Sequence, residues 1–128
     1  SVSDHICAHW DLMPTFCELA KTSTPKHTDG ISYVPALTGG KQKKHNYLYW
    51  EFHSYGNAQA IRMGDWKAIR LKVKNDPNAP IQLYNLKQDI GETKNIAATH
   101  PNVVKRIAPL FKEAHTPSER FPLFAKKR

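Results

Sequence analysis

The side chains best suited to chemistry are concentrated at positions 48–71, LYWEFHSYGNAQAIRMGDWKAIRL. This segment combines tryptophan, tyrosine, histidine and cationic residues, which suits an active site, a nucleic-acid surface or the interior of a sheet. Basic residues interleaved with aromatics are what single-stranded nucleic acid requires of a sheet. However, the segment lacks the Gly-aromatic signature of an RNA-recognition sheet. Antiparallel sheets also need large aromatics and long cationic stems to fill and cover their faces, so we favour that interpretation.

Metal and nucleophile chemistry have less support. His5 and His9 have helical spacing, but no HExxH pattern and no third ligand accompany them, so we predict no metal site. A Ser/His/Asp arrangement stays open, although no G-x-S-x-G stretch occurs and the Gly-Gly-Lys at 39–41 lacks phosphate-loop spacing.

Cys7 and Cys17 are too few for a disulfide framework, and on one helix they would lie about 15 Å apart. We expect buried free thiols.

Composition places the chain in the globular class. It has 128 residues, of which 40% are hydrophobic, enough for one domain with a core. A net charge of +8 favours anionic partners: nucleic acid, an anionic membrane surface, acidic glycans or an acidic protein surface. The basic runs at 41–44 and 126–128 are expected to be solvated. No apolar run reaches the roughly 20 residues of a membrane span. The chain starts at Ser1 without a leader, which suggests a processed product or a cut fragment and leaves secretion and redox compartment open.

The first 45 residues predict a helix followed by an irregular strap. Apolar residues at helical spacing indicate a helix from about Leu12 to Lys21, with Asp11 as N-cap and Pro14 in the first turn. Residues 22–46 are rich in proline and glycine and form a longer connection than compact domains usually contain. Such a segment is more natural lying across another body than as a free loop.

Residues 46–128 predict an antiparallel sheet. Strands are expected at 47–52, 59–63, 66–73 and 81–86, with a type II′ hairpin turn at Gly64-Asp65. Alternation in the third strand predicts two faces, one with Trp66, Ala68, Arg70 and Lys72 and the other with Lys67, Ile69, Leu71 and Val73.

A helix over 101–115 is predicted to cover one face of this sheet. Its apolar stripe consists of Val103, Val104, Ile107, Leu110 and Phe111. Pro109 is expected to kink the helix or end its first half. The tail is expected to pack Phe121, Leu123 and Phe124 against the core. The fold class is therefore α+β, a four-stranded antiparallel sheet with a C-terminal helix on one face, preceded by a helix and an extended strap.

The order of the segments resembles the C-terminal portion of the type I, formylglycine-dependent sulfatases, of the arylsulfatase and N-acetylgalactosamine-6-sulfatase kind. HWDLMPTFCELAK, DGISYVPALTGG, LYWEF, QAIRMGDWKAIRL and LYNLKQDIGETKNIA follow one another as in that family. The matching positions are Asp11, Pro14, Thr15, Asp29, Gly30, Ser32, Pro35, Leu37, Gly39, Leu48 to Glu51, Ala60, Arg62, Gly64, Trp66, Lys67, Leu83, Tyr84, Leu86, Asp89, Glu92 and Asn95. Ile90-Gly91 departs from the Pro-Gly of many members, a change that the turn should tolerate. The match covers about residues 4–115.

This resemblance implies a secreted or periplasmic enzyme that hydrolyses sulfate esters of glycans on an alkaline-phosphatase-like α/β body. The family nucleophile is a formylglycine made from the Cys or Ser of C/S-x-P-x-R, and calcium neutralises the sulfate. Neither cysteine of this chain lies in that motif, so no catalytic residue and no cofactor is expected here. The resemblance therefore implies a C-terminal fragment, inactive alone, whose residues 1–45 pack on the missing catalytic domain and whose residues 46–128 form the sheet subdomain.

The loop between the first two strands is the best candidate for contact with substrate. Sheet loops of sulfatases can shape the substrate pocket, so His53, Tyr55 and Asn57 are predicted to bind the sulfated sugar; the alternative for His53 is a histidine in solvent. Glu51, Trp50 and Arg62 are interpreted as structural, with Arg62 paired with Glu51 across adjacent strands. The competing hypothesis is a free-standing basic module that binds nucleic acid or acidic polysaccharide; nucleic acid is not favoured.

Overall fold

The computed structural model describes residues 2–125. The chain divides into two compact units, residues 1–46 and residues 47–128, here called the N-terminal unit and the C-terminal unit.

The N-terminal unit contains two α-helices. A short 3-10 turn, His9–Asp11, leads into α1, Leu12–Leu19. Asp11 is the N-cap of α1, as predicted, but its carboxylate binds other segments and not the first turn of the helix. Because Lys21 adopts a left-handed φ of 54°, α1 ends two residues earlier than predicted.

The strap holds a second helix that the sequence interpretation missed. This helix, α2, spans Val34–Thr38 within the segment expected to be irregular. Pro35 lies in its first turn, and Gly39 ends it with a left-handed φ of 78°. Proline at the start and glycine at the end are ordinary helix signals. The five residues of α2 are too few to show helical periodicity in the sequence.

The N-terminal unit has no apolar interior of its own among the residues described. Its buried residues are Asp11, Pro14 and Thr15. Cys7 is exposed and Cys17 is half-buried. The expectation of buried thiols is therefore wrong, because this unit offers no apolar core in which to bury them.

The C-terminal unit contains the predicted four-stranded antiparallel meander. The strands are β1 (Leu48–Phe52), β2 (Ala58–Met63), β3 (Trp66–Leu71) and β4 (Ile81–Asn85), in the spatial order β1-β2-β3-β4. Met63 pairs with Trp66 across a two-residue turn. In that turn Gly64 has a φ of 59° and Asp65 a negative φ, the type II′ arrangement expected from the sequence.

Strand β3 is two residues shorter than predicted. Lys72 takes a left-handed φ of 59°, which ends the alternation after Leu71. Val73 is therefore fully buried with Ala79 and Leu123, not aligned with the face of Leu71 as predicted.

The main core lies between the sheet and two short helices. Ile61, Ala68 and Leu83 are aligned across β2, β3 and β4, and their side chains are fully buried. The predicted helix over 101–115 is divided at Pro109 into α3 (Pro101–Ile107) and α4 (Leu110–Glu113). The predicted stripe is confirmed, since Ile107 and Phe111 are buried in this core and the other three members pack against it.

The tail packs as a second, smaller cluster. Leu123 is 1% exposed beside Val73 and Ala79, and Phe124 packs against them. Phe121 is 68% exposed, so its predicted burial is wrong. Its ring instead lies edge-on to His53, with centroids 6.5 Å apart. Over residues 2–125, no helix has the length and apolar character that crossing a bilayer demands.

Candidate functional site

Asp11 connects three segments of the N-terminal unit. Its carboxylate accepts hydrogen bonds of 2.8 Å from the backbone N–H groups of Ala8 and Ile31, and it lies 2.8 Å from His45 Nε2. Burial alone would raise the pKa of Asp11, but the two N–H donors and His45 together hold it below its usual value. This arrangement fixes loops and leaves the carboxylate no free side for a substrate.

Thr15 and Gly30 complete the same structure. The Thr15 hydroxyl donates to the Asp11 carbonyl at 2.6 Å and accepts from the Tyr33 N–H at 3.1 Å. A Cβ atom on Gly30 would lie 2.3 Å from the Trp10 carbonyl oxygen and 2.9 Å from Pro14 Cγ. The D-x-x-P-T and D-G-x-S segments therefore interlock, which gives their residues a structural role.

The turn after β4 is held by its own polar side chains. Asn95 Oδ1 accepts from the N–H groups of Leu83 and Ala97, each at 3.0 Å. Asp89 accepts from the Lys94 N–H at 2.9 Å and from the Thr93 hydroxyl at 3.1 Å, and the backbone N–H groups of these two residues lower its pKa. Glu92, also in this turn, forms an ion pair with Lys67 of β3. These bonds give a structural role to the D-x-x-E-x-x-N part of the pattern, Asp89, Glu92 and Asn95.

Polar side chains lie at one end of the helix-facing side of the sheet. Glu51, Gln59 and Arg70 stand side by side across β1, β2 and β3, one step beyond the apolar row of the core. Gln59 is 2% exposed, and its Nε2 donates to the Tyr49 hydroxyl at 2.7 Å and to the Phe111 carbonyl at 3.3 Å. Burying such groups is costly unless their hydrogen bonds are satisfied.

Glu51 is the anionic centre of this polar row. Its Oε1 accepts from the Tyr49 hydroxyl at 2.6 Å and lies 2.6 Å from His115 Nδ1, while Oε2 lies 3.6 Å from His53 Nε2. Burial and the neighbouring carboxylate raise the pKa of Tyr49, so its hydroxyl remains a donor. The predicted Arg62–Glu51 pair is wrong, because Arg62 stands opposite Leu48 on the other face of the sheet. Arg62 Nε donates to the Gly64 carbonyl instead.

Two buried polar atoms in this row lack partners among the described residues. They are Gln59 Oε1, an acceptor, and Arg70 Nε, a donor. The Arg70 guanidinium carbon lies 4.8 Å from the Phe111 ring centroid, and burial lowers the pKa of Arg70 although Asp76 opposes the shift. Both residues line a cleft of about 170 Å³, which we call the inner cleft. Its lining comprises Gln59, Arg70, Pro77, Asn78, Phe111, Lys112, His115 and Phe124.

The predicted substrate loop borders a second concavity, the outer depression. It measures about 480 Å³ and is lined by His53, Asn57, Lys74, Arg120, Phe121, Pro122, Phe124 and Ala125. The structure therefore brings His53 and Asn57 to one wall, whereas Tyr55 is 93% exposed and outside the lining. Asn57 is 7% exposed, and its Nδ2 donates to the Leu123 carbonyl at 2.7 Å. This bond makes Asn57 a support for the tail.

Sequence reasoning missed the two cations of the outer depression. Lys74 follows the left-handed turn at Lys72, and its carbonyl accepts from the Ala125 N–H at 2.6 Å. Arg120 belongs to the tail, five residues before Ala125, and lines the same depression. The only available signal was the prediction that the tail folds back onto the sheet subdomain, which would have placed Arg120 near the loop at 53–57.

Comparison with known proteins defines the class. The structure of a 2-O GAG sulfatase superposes with a TM-score of 0.69 at 32% identity over 81% of this chain and 23% of that one. A sulfatase solved with its substrate D-glucosamine-2-N,6-O-disulfate gives a TM-score of 0.66 at 25% identity, over 81% of this chain and 23% of that one. The fold is thus the C-terminal part of an alkaline-phosphatase-like sulfatase.

Sequence comparison gives the family. The family model of the N-sulphoglucosamine sulphohydrolase C-terminal region matches residues 1–116, and the chain belongs to this family. A delta 4,5-hexuronate-2-O-sulfatase of Bacteroides thetaiotaomicron is 38% identical over 93 residues, which cover 68% of this chain and 18% of that protein. The chain therefore spans about a fifth of the length of such relatives. Residues 120–125, which form part of the outer depression, lie beyond the family match.

Proposed function

We propose that this chain is the C-terminal subdomain of a sulfuric ester hydrolase that acts on sulfated glycans. The observation that carries the proposal is the family match across residues 1–116. Relatives of this family include sulfatases described as acting on hexuronate 2-O-sulfate and on N-acetylgalactosamine 6-O-sulfate. The nucleic-acid alternative gains no support from the comparisons, which match sulfatases, and Tyr49 and Trp66 pack against the main core.

Within such an enzyme, the C-terminal unit would support the fold and supply one wall of the substrate pocket. His53, Tyr55 and Asn57 are the proposed contributors. His53 stands beside two cations and at an exposed edge, which suits contact with a sulfate or a uronate. Tyr55 offers an exposed ring and hydroxyl, and Asn57 would act through its bond to the tail.

The catalytic chemistry would reside in another part of the complete protein. Over residues 2–125, no three His, Cys, Asp or Glu side chains lie close enough together to hold a metal ion. We propose that calcium and the formylglycine nucleophile belong to an N-terminal catalytic domain. Met13, Phe16, Leu19 and Leu37 are each more than half exposed, and the proposed role of the N-terminal unit is to bury them against that domain. A secreted or periplasmic location would match glycan substrates.

The test is sulfate release by the complete protein. We expect hydrolysis of 4-nitrophenyl sulfate and of sulfated glycosaminoglycan oligosaccharides, with complete loss after substitution of the Cys or Ser in the C/S-x-P-x-R motif of the complete sequence. Absence of that motif from the complete sequence, or a purified protein that releases no sulfate from either substrate class, would contradict the proposal.

A further inference from the structure

Phe124 lines both the inner cleft and the outer depression. We call the two concavities together the Phe124 groove. Its cationic side chains are Arg70 and Lys112 in the inner cleft and Lys74 and Arg120 in the outer depression. His115 lines the inner cleft, and His53 lines the outer depression.

We propose that the Phe124 groove binds anionic sugar units of a sulfated glycan that lie beyond the ester being hydrolysed. This inference rests on the proposed function and extends it, since it concerns residues outside the loop at 53–57. It also includes tail positions that the family match does not cover.

The inner cleft is lined by two residues, Gln59 and Arg70, that each hold a buried polar atom without a partner among the described residues. Gln59 Oε1 and Arg70 Nε stand on facing positions of β2 and β3, and neither atom has a partner among the described residues. A sugar hydroxyl both donates and accepts, so one hydroxyl can satisfy the amide oxygen and the guanidinium N–H together. Because unsatisfied buried polar groups are costly, their pairing favours an occupied cleft. The rings of Phe111 and Phe124 supply apolar surface for a sugar face.

The outer depression presents cationic charge on a fixed backbone. Lys74 and Arg120 are exposed, and neither forms an ion pair within residues 2–125. The Lys74 carbonyl accepts from the Ala125 N–H, and Leu123, three residues after Arg120, is buried and bonded to Asn57. Two free cations held near each other favour a sulfate or carboxylate over a neutral sugar.

Of the four carboxylates near the groove, two are already bound to other side chains. Glu51 is bound to Tyr49 and His115, and Glu113 accepts from the Tyr47 hydroxyl. Asp76 acts on Arg70 and accepts from the Asn78 N–H, while Glu119 precedes Arg120 in the tail. The groove thus combines cations, amide groups and aromatic rings, a set suited to an acidic oligosaccharide.

The experiment measures binding of heparin-derived oligosaccharides to the complete protein by titration calorimetry. The test variant combines Lys74→Ala with Arg120→Ala, and the matched control combines Lys87→Ala with Lys105→Ala, which removes two exposed cations outside the groove. An octasaccharide, a disaccharide and a desulfated octasaccharide are the probes. We expect the test variant to bind the sulfated octasaccharide about fivefold more weakly, and the control to stay within about twofold of wild type.

Three outcomes would overturn the proposal: equal weakening by both variants, unchanged affinity in the test variant, or no octasaccharide binding by the wild type. A gain in affinity from disaccharide to octasaccharide that persists in the test variant would also count against it. Lys112→Ala tests the inner cleft separately and should reduce the same length-dependent gain. Sulfate release from 4-nitrophenyl sulfate by the same preparation reports on the proposed function independently, so failure of one proposal is distinguishable from failure of the other.

Discussion

At the scale of single residues, the family motifs in this chain act as structural connections. Gly30 faces the Trp10 carbonyl and the Pro14 ring so closely that no side chain fits. Asp11 and Thr15 bind the backbone of the segment that follows Gly30. Asp11 and Thr15 are four residues apart in the helical segment, and the N–H groups that they bind, those of Ile31 and Tyr33, are two residues apart in the strap.

Substitution of Gly30 is therefore predicted to destabilise the N-terminal unit. Gly30→Ala places its Cβ 2.3 Å from a backbone oxygen, a contact that only movement of the main chain can relieve. We expect a loss of about 1–3 kcal/mol in the free energy of unfolding. The control is Gly40→Ala, where the nearest atom would lie at 3.5 Å and the change should stay within about 0.5 kcal/mol. Urea unfolding of the complete protein measures both, and equal midpoints for the two variants would contradict the prediction.

The charge of Asp11 predicts a pH dependence of the same unit. Because the folded-state pKa of Asp11 lies below its unfolded-state value of about 3.9, the ionised carboxylate stabilises the fold above that pH. This contribution is lost as the pH falls through the folded-state pKa. Asp11→Asn should cost about 1–3 kcal/mol at neutral pH and much less in acid, because the wild type then loses the same interaction.

Hydrogen exchange of residues 12–33 between about pH 6 and pH 3, corrected for intrinsic rates, measures this difference. Asp29→Asn is the control, since Asp29 is an exposed carboxylate of the same unit. A constant difference between wild type and Asp11→Asn across the pH range would show that the charge of Asp11 contributes nothing to stability.

At the scale of elements, the tail joins the C-terminal unit through one buried side chain and two hydrogen bonds. Leu123 packs with Val73 and Ala79. Asn57 Nδ2 donates to the Leu123 carbonyl, and the Ala125 N–H donates to the Lys74 carbonyl. This clasp positions the loop at 53–57, the segment at 72–79 and the tail relative to one another. Tail residues supply five of the eight residues that line the outer depression, so we expect its shape to depend on this clasp.

Leu123→Ala is predicted to open the clasp. Deleting a 1% exposed leucine side chain should cost about 2–4 kcal/mol in this cluster, while Phe121→Ala, at 68% exposure, should change stability by no more than about 0.5 kcal/mol. Hydrogen exchange of Val73, Lys74 and Ala125 reports the opening locally. Protection that falls equally in both variants, or in neither, would contradict the assigned roles.

The sequence predicted the elements with strong periodicity and missed those set by local backbone geometry. The meander, the II′ hairpin and the apolar stripe over 103–111 follow from alternation and helical spacing, so they were predictable. The end of β3 depends on the left-handed conformation of Lys72, and the residue pattern around Lys72 does not predict that conformation. The partners of Glu51 were equally hidden, because His115 is 64 positions away in sequence. In the candidate site, His53 was found through its loop, whereas Lys74 and Arg120 required the tail clasp.

At the scale of the whole molecule, the two units differ in how they are stabilised. The C-terminal unit contains both apolar clusters of the described chain. The N-terminal unit buries only Asp11, Pro14 and Thr15 among its described residues, and it exposes large apolar side chains. A segment of this size without a core seldom folds unaided.

Residues 47–128 are therefore predicted to fold alone and residues 1–46 to require a partner surface. Expressed separately, the C-terminal unit should give dispersed amide NMR signals and cooperative thermal unfolding. The N-terminal unit should give the narrow dispersion of an unfolded peptide. A folded, cooperative N-terminal unit would show that its exposed apolar residues need no further cover.

The interlocked Asp11, Thr15 and Gly30 have a consequence for how such proteins are classified. Residues that hold backbone segments together are tied to the shape of the chain, and they carry no information about which sugar is bound. A sequence match that depends on these residues identifies the fold and does not identify the substrate, so two enzymes with the same motifs can act on different polysaccharides. Under the proposed function, substrate preference would depend on exposed residues such as His53, Lys74 and Arg120, which can be substituted without disturbing the fold.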